Sequence, residues 1–169
     1  MLVEVAVATL AMDQKNNTPV VILKDVGGER RIPIWIGHPE ASIIAMELAE
    51  KKFSRPLTHD LIANILRGLE VKLQRVEISE LEGNIFYAKL FLEKDNDVIC
   101  IDARPSDSIA LALKSRAKIF ADAKLFSSEI DSLLVNTGAM DDDISENRAV
   151  ELKEFIENLD PKDFGKFRL

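Results

Sequence analysis

The chain has 169 residues, 47% hydrophobic and 30% charged, which suits one compact domain with an appendage and excludes disorder along its whole length. Its net charge of −7 is uneven: residues 1–126 carry 17 Lys and Arg against 18 Asp and Glu, whereas residues 127–169 carry 5 against 11. This excludes the bulk positive field of a non-specific nucleic-acid binder, so any contact with phosphates must be local.

In chain order, the first apolar stretch, Leu2 to Met12, is interrupted by Glu4, lacks a basic leader and falls far short of the roughly 20 residues of a membrane span. A cytoplasmic chain with no membrane contact is expected. Alternation of Val3, Val5 and Val7 predicts a strand, Asn16-Asn17-Thr18-Pro19 a turn, Val20 to Leu23 a second strand, Gly27-Gly28 a hairpin and Ile32 to Ile36 a third strand with Trp35 in the core. Between His38 and Lys52, Ala41, Ile44, Ala45 and Leu48 share one helical face, while Glu40 and Glu47 share another. Arg55-Pro56-Leu57 then forms an extended approach to a helix capped by Thr58, with an apolar stripe of Leu61, Ile62, Ile65, Leu66 and Leu69. His59 is expected on the flank of that stripe and Asp60 on the polar side, neither deep in the core.

A second meander is predicted from Val71 to Asp102, with turns at Glu82-Gly83-Asn84 and Lys94-Asp95-Asn96-Asp97. Cys100, the single cysteine, excludes an internal disulfide framework and multi-cysteine metal centres, fits a reducing compartment and reads as core packing. Pro105 and Ser106 open a helix to about Arg116, and Ile109 to Leu113 is apolar on every side, as in a helix buried mid-fold. Ile119-Phe120 makes a last short strand. A shift of 66 residues lays Pro39, Ser42 and Ile43 on Pro105, Ser108 and Ile109, which suggests two β-β-β-α-type repeats. Residues 1–126 thus form the domain. Residues 127–169 form an acidic linker with Asp141-Asp142-Asp143 and a C-terminal helical extension capped by Ser145; the extension is either a docked helix or an acidic flap competing with a polyanion.

Two clusters carry chemistry. At Asp102-Ala103-Arg104-Pro105-Ser106-Asp107, free amides of a helix start and the Arg104 guanidinium suit an anion, and two aspartates suit a divalent cation; helix-capping preference and an Arg104 ion pair are the structural alternative. At His59-Asp60, the imidazole suits a general base or metal ligand and Asp60 its orientation or a metal; a dipole-favoured aspartate beside a surface histidine is the alternative. Three further basic groups, Arg30-Arg31, Lys51-Lys52 with Arg55, and Lys114, Arg116 and Lys118, suit either a phosphate track or a solvated surface. No Gly-x-Ser-x-Gly elbow, Gly-x-x-x-x-Gly-Lys loop or Gly-x-Gly-x-x-Gly is present.

The strings Pro33-Ile34-Trp35-Ile36-Gly37 with Glu40-Ala41, Arg55-Pro56-Leu57-Thr58-His59-Asp60-Leu61, Phe86-Tyr87-Ala88 and Ile101-Asp102-Ala103-Arg104-Pro105-Ser106-Asp107 resemble the bifunctional nuclease domain family. The resemblance spans residues 1–126. It implies an α+β domain with a mixed, largely antiparallel, strongly curved sheet and packed helices, and nuclease activity on DNA and RNA. It also raises Glu40, His59, Asp60, Arg104 and Asp107 as site residues.

The leading reading is a metal-assisted phosphodiesterase hydrolysing DNA and/or RNA. Here His59, Asp60, Arg104 and Asp107 are catalytic, Arg104, Ser106 and Arg55 hold phosphate, and Asp102, Asp107, Asp60 and Glu40 hold Mg2+ or Mn2+. It requires two motifs more than forty residues apart to meet. The competing reading is a non-catalytic binding or oligomeric assembly module, and exposed meander edges make a homo-oligomer the expected assembly.

Overall fold

Strand alternation, two glycine- or asparagine-bearing hairpins and a helix apolar all round combine into one curved sheet with helices packed on it. The computed structural model describes residues 1–13 and 15–126; the predicted C-terminal helix and acidic flap lie outside these residues. Strands β1 (Leu2–Asp13), β2 (Thr18–Asp25) and β3 (Arg31–Trp35) form the first meander, followed by α1 (His38–Leu48) and α2 (Thr58–Gly68). Strands β4 (Lys72–Glu82), β5 (Ile85–Lys94) and β6 (Asp97–Ala103) form the second, followed by α3 (Pro105–Ser115), β7 (Lys118–Asp122) and a 3-10 turn, Ala123–Leu125.

The seven strands lie in the order β3-β2-β1-β7-β4-β5-β6. The short last strand therefore enters the middle, antiparallel to β1 and parallel to β4. The fold is α+β with a mixed sheet, as the resemblance implied. Helix α3 carries the chain from the β6 edge back to that central slot, since a parallel partner requires a crossover. It packs on β4, β5 and β7 and lies between α1 and α2, which is why Ser108, Ile109 and Ala112 are wholly enclosed. The core joins this helix to Val21, Leu23, Val76, Ile78, Ala88 and Leu90 of the sheet. On the opposite face of β2, Val20 and Ile22 pack with Trp35, whose indole donates to Asp13 Oδ2 at 3.0 Å.

Local chemistry accounts for the boundaries. Gly83 and Asn84, and likewise Asp95 and Asn96, have positive φ, the two-residue turn that matches the twist of paired strands. In the β2–β3 turn the glycines do something else. A Cβ at Gly28 would lie 3.1 Å from Asp25 Oδ2, so glycine leaves room for Asp25 to bind Gly27 N–H and the Arg30 guanidinium. One cap differs from expectation: Leu57, not Thr58, is the N-cap of α2, because Thr58 already has helical backbone. Arg104 is the N-cap of α3, just before Pro105. Cys100 is exposed rather than core, since β6 lies at the sheet edge.

Replacing Ile109 with alanine should cost about 2–5 kcal/mol by leaving a cavity under α3. Urea denaturation with a shifted midpoint and an unchanged slope checks this.

Candidate functional site

Each helix opens with an acidic side chain at its third position: Glu40 in α1, Asp60 in α2 and Asp107 in α3. Unpaired N–H groups at a helix start favour negative charge there. What the sequence cannot display is how these carboxylates meet.

Asp107 is the meeting point. Arg104 donates to it in a fork, Nε to Oδ2 at 2.7 Å and Nη2 to Oδ1 at 3.2 Å. Its remaining nitrogen, Nη1, reaches Glu40 Oε1 at 3.0 Å. Gly37 makes that reach compatible with α1: a Cβ there would come 2.3 Å from Glu40 Oε2, so glycine lets the carboxylate fold back over its own helix start. From α2, His59 Nε2 lies 3.2 Å from Asp107 Oδ1. The two motifs, 48 residues apart at this contact, thus meet directly.

His59 departs from the expected flank position. It is only 7% exposed, because the start of α2 is pressed against the start of α3. With the Asp107 carboxylate accepting, Nε2 donates this hydrogen bond. Among the described residues the other ring nitrogen, Nδ1, is buried without a hydrogen-bond partner. Desolvation pushes Asp107 upward, but the hydrogen bonds and charge of Arg104, with help from His59, hold its carboxyl below the usual carboxylate range. Asp107 in turn raises Arg104, with Glu40 adding to the effect.

Asp60 belongs to a second network. Its Oδ2 accepts the Leu57 N–H at 2.8 Å, and its Oδ1 takes Lys114 Nζ at 2.5 Å. Lys114, in the last turn of α3, also pairs with Glu47 of α1. Desolvation works against both charges, yet the pairing wins: Asp60 is held low and Lys114 high. Lys114 and Glu47 are the site residues sequence reasoning missed as a pair. Their only signal was Glu47 on the polar face of α1 and a lysine closing an otherwise apolar helix.

This network borders a cavity of ≈ 570 Å³ between the α1–α2 connection and the end of α3. Its wall holds five cations, Lys51, Lys52, Arg55, Lys114 and Arg116, against Glu47, Glu50 and Asp60, so it is locally positive in a chain that is negative overall. Lys51, Lys52 and Arg55 therefore share one cavity with Lys114 and Arg116, while Lys118 lies outside it and pairs with Glu4. Among the described residues no ion pair engages Lys51, Lys52, Arg55 or Arg116. His59 lines the cavity while also touching Asp107, and so joins the two networks. Arg104, Glu40 and Asp107 are not part of its wall.

The carboxylates named for Mg2+ or Mn2+ do not form one ligand set. Glu40 and Asp107 share Arg104, Asp60 is paired with Lys114, and Asp102 is an exposed β6 residue opposite Lys89 of β5. Among the described residues no three His, Cys, Asp or Glu gather as a metal centre requires. Of the residues named for phosphate, Arg55 lines the cavity, Arg104 is engaged by two carboxylates, and Ser106 is buried at the second position of α3.

The sequence profile of the bifunctional nuclease domain matches residues 21–132. An uncharacterized protein of Mycobacterium tuberculosis (strain H37Rv) is 35% identical over 170 residues, covering 95% of this chain and 97% of that protein. The protein named bifunctional nuclease 1 from Oryza sativa subsp. japonica is 20% identical over 116 residues, which are 67% of this chain and 35% of the rice protein.

The lowered Asp107 and Asp60 carboxyls set the direction of an acid transition. Their contribution is complete above the unfolded value of about 3.9 and is lost as pH falls through the lower folded values. Asp107→Asn should cost about 1 kcal/mol at neutral pH and flatten the stability profile below about pH 4, as read by chemical denaturation across pH.

Proposed function

We propose that this chain, which belongs to the bifunctional nuclease domain family, is a nuclease-like phosphodiesterase that takes a DNA or RNA strand into the basic cavity beside His59. The observation that carries the proposal is the position of His59: one ring nitrogen rests on an ionised aspartate and the ring lines a cavity with an excess of cations. The distant likeness to a protein named bifunctional nuclease supports the same substrate class.

In this reading Lys51, Lys52, Arg55 and Arg116 bind backbone phosphates, a local electrostatic contact that needs no overall positive charge. Asp107 fixes the His59 tautomer, so Nδ1 is the atom that accepts a proton from the attacking water. Because Nδ1 is enclosed, substrate binding has to open a path for that water. Arg104 is committed to Asp107 and Glu40, which makes it a positioning residue that keeps Asp107 ionised. Lys114 is likewise committed, between Asp60 and Glu47, and is a positioning residue that holds the start of α2 to the end of α3. Glu40 and Asp107 are engaged by Arg104 and Asp60 by Lys114, while Asp102 lies apart on β6, so these four carboxylates do not fit a divalent cation as one set.

One observation favours a second reading. The same enclosure of His59 Nδ1 suits a module that binds nucleic acid without cleaving it, with His59 and Asp107 serving to join α2 to α3.

Labelled single-stranded DNA and RNA, offered with Mg2+, Mn2+ or EDTA, separate the two. Cleavage should fall about 10²–10⁴-fold in His59→Ala while binding stays within about threefold. Cleavage unchanged in both His59→Ala and Asp107→Ala refutes the catalytic assignment, and binding with no cleavage under any condition selects the module.

Lys52→Ala and Arg55→Ala should each weaken binding and lower the slope of log K against log salt by about 0.7 for a single strand. An unaltered slope, measured by fluorescence anisotropy over a salt series, would place the strand elsewhere.

A further inference from the structure

The two edges of the sheet are built in opposite ways. Strand β3 is five residues long, with Pro33 at its middle and Ile32, Pro33 and Ile34 buried. A short edge interrupted by proline, which lacks an N–H, resists pairing with another chain. Strand β6 has neither protection. It runs seven residues without proline, pairs with β5 without a bulge, and exposes the continuous run Val98, Ile99, Cys100 and Ile101. Val98 is 52% exposed, Ile99 50% and Ile101 41%.

The register shows how unusual this is. Ile99 lies opposite Leu92 and Ile101 opposite Leu90, and both leucines are in the core. Opposed residues of an antiparallel pair point to the same face. Ile99 and Ile101 therefore stand on the helix-bearing face, one strand beyond the cover the helices provide. The charged residues that flank them, Asp97 and Asp102, lie opposite Lys94 and Lys89 of β5.

We infer that β6 pairs antiparallel with β6 of a second copy of this chain about a two-fold axis at Cys100, joining the two sheets into one. An open strand edge is satisfied by another strand, because only an extended backbone meets its row of N–H and C=O groups. In this register the isoleucines are self-complementary. Each Ile99 faces Ile101 of the partner subunit, so four isoleucines close over one another on the helix-bearing face. A two-fold axis that preserves the faces and is centred at Ile99 instead sets Ile101 against Asp97 of the partner subunit. Centred at Ile101, it sets Cys100 against Asp102 of the partner subunit. Only the Cys100 centre pairs every isoleucine with an isoleucine; on the other face of the sheet it sets Val98 against Asp102 of the partner subunit. This assembly is independent of whether the cavity binds or cleaves nucleic acid.

The experiment uses the full chain. Sedimentation at micromolar concentration should give twice the chain mass for the wild type and for Val26→Lys, which removes an equally exposed apolar residue from the β2–β3 turn. Ile99→Lys and Ile101→Lys should each halve that mass while keeping the wild-type circular dichroism; Val98→Asp, which sets a carboxylate against Asp102 of the partner subunit, serves if either fails to fold. Directly opposed residues have Cα atoms about 4.5–5.5 Å apart, within the span of a disulfide. Mild oxidation should therefore link the two Cys100 thiols in the wild type and not in Ile99→Lys. A wild-type monomer overturns the inference, and so does a dimer that survives both isoleucine substitutions. A monomer whose Cys100 resists maleimide also overturns it, by showing that residues 127–169 cover the edge instead.

Discussion

The carboxylate of Asp107 is the constraint on which the site's geometry depends. It accepts from Arg104 at its own helix start and from His59 of α2, and through Arg104 it reaches Glu40 of α1. Three helix openings that are remote in sequence are thereby held to one another by a single charged group. Each hydrogen bond is modest alone, since much of this network faces water and such pairs contribute little. Its value is positional: an imidazole whose partner is an ionised carboxylate has one tautomer and one orientation.

The arrangement works because α3 is enclosed. A helix packed between α1, α2 and the sheet cannot shift without opening the core, so its two ends become fixed points. The first end carries Arg104 and Asp107, and the last turn carries Lys114 between Glu47 and Asp60. Lys114 and Asp107 both act on α2, one through Asp60 and the other through His59. The cavity lies beside this doubly tied helix, and its cations come from the α1–α2 connection and the end of α3. A negatively charged chain thus presents a positive surface beside its doubly tied helix.

The same residues satisfy a structural and a chemical account, and the two do not compete. Acidic residues at the third position of α1, α2 and α3 are what helix starts prefer, and Arg104 and Lys114 neutralise them. That neutralisation engages Glu40, Asp60 and Asp107 within the chain, and among the described residues it leaves His59 Nδ1 buried without a hydrogen-bond partner.

Much of the architecture was legible in the residues alone. Alternating valines and isoleucines, the Gly83-Asn84 and Asp95-Asn96 turns and the all-round apolar helix after Pro105 are local signals, and they led to the two meanders and the buried α3. The strings around His59 and Arg104 likewise marked which segments matter. Burial and partnership were not legible, because both depend on what lies across space. Cys100 sits in an apolar run that reads as core, but β6 became an edge strand once β7 took the central slot beside β4. His59 reads as a flank residue of α2 until the start of α3 closes over it. The carboxylates suited a metal as a set in the sequence, yet the fold divided them between Arg104, Lys114 and the β6 surface. Residue type determined which groups can carry charge or donate a proton; the crossing of α3 over the sheet decided which of them meet, since electrostatic and hydrogen-bond energies act only over a few ångströms.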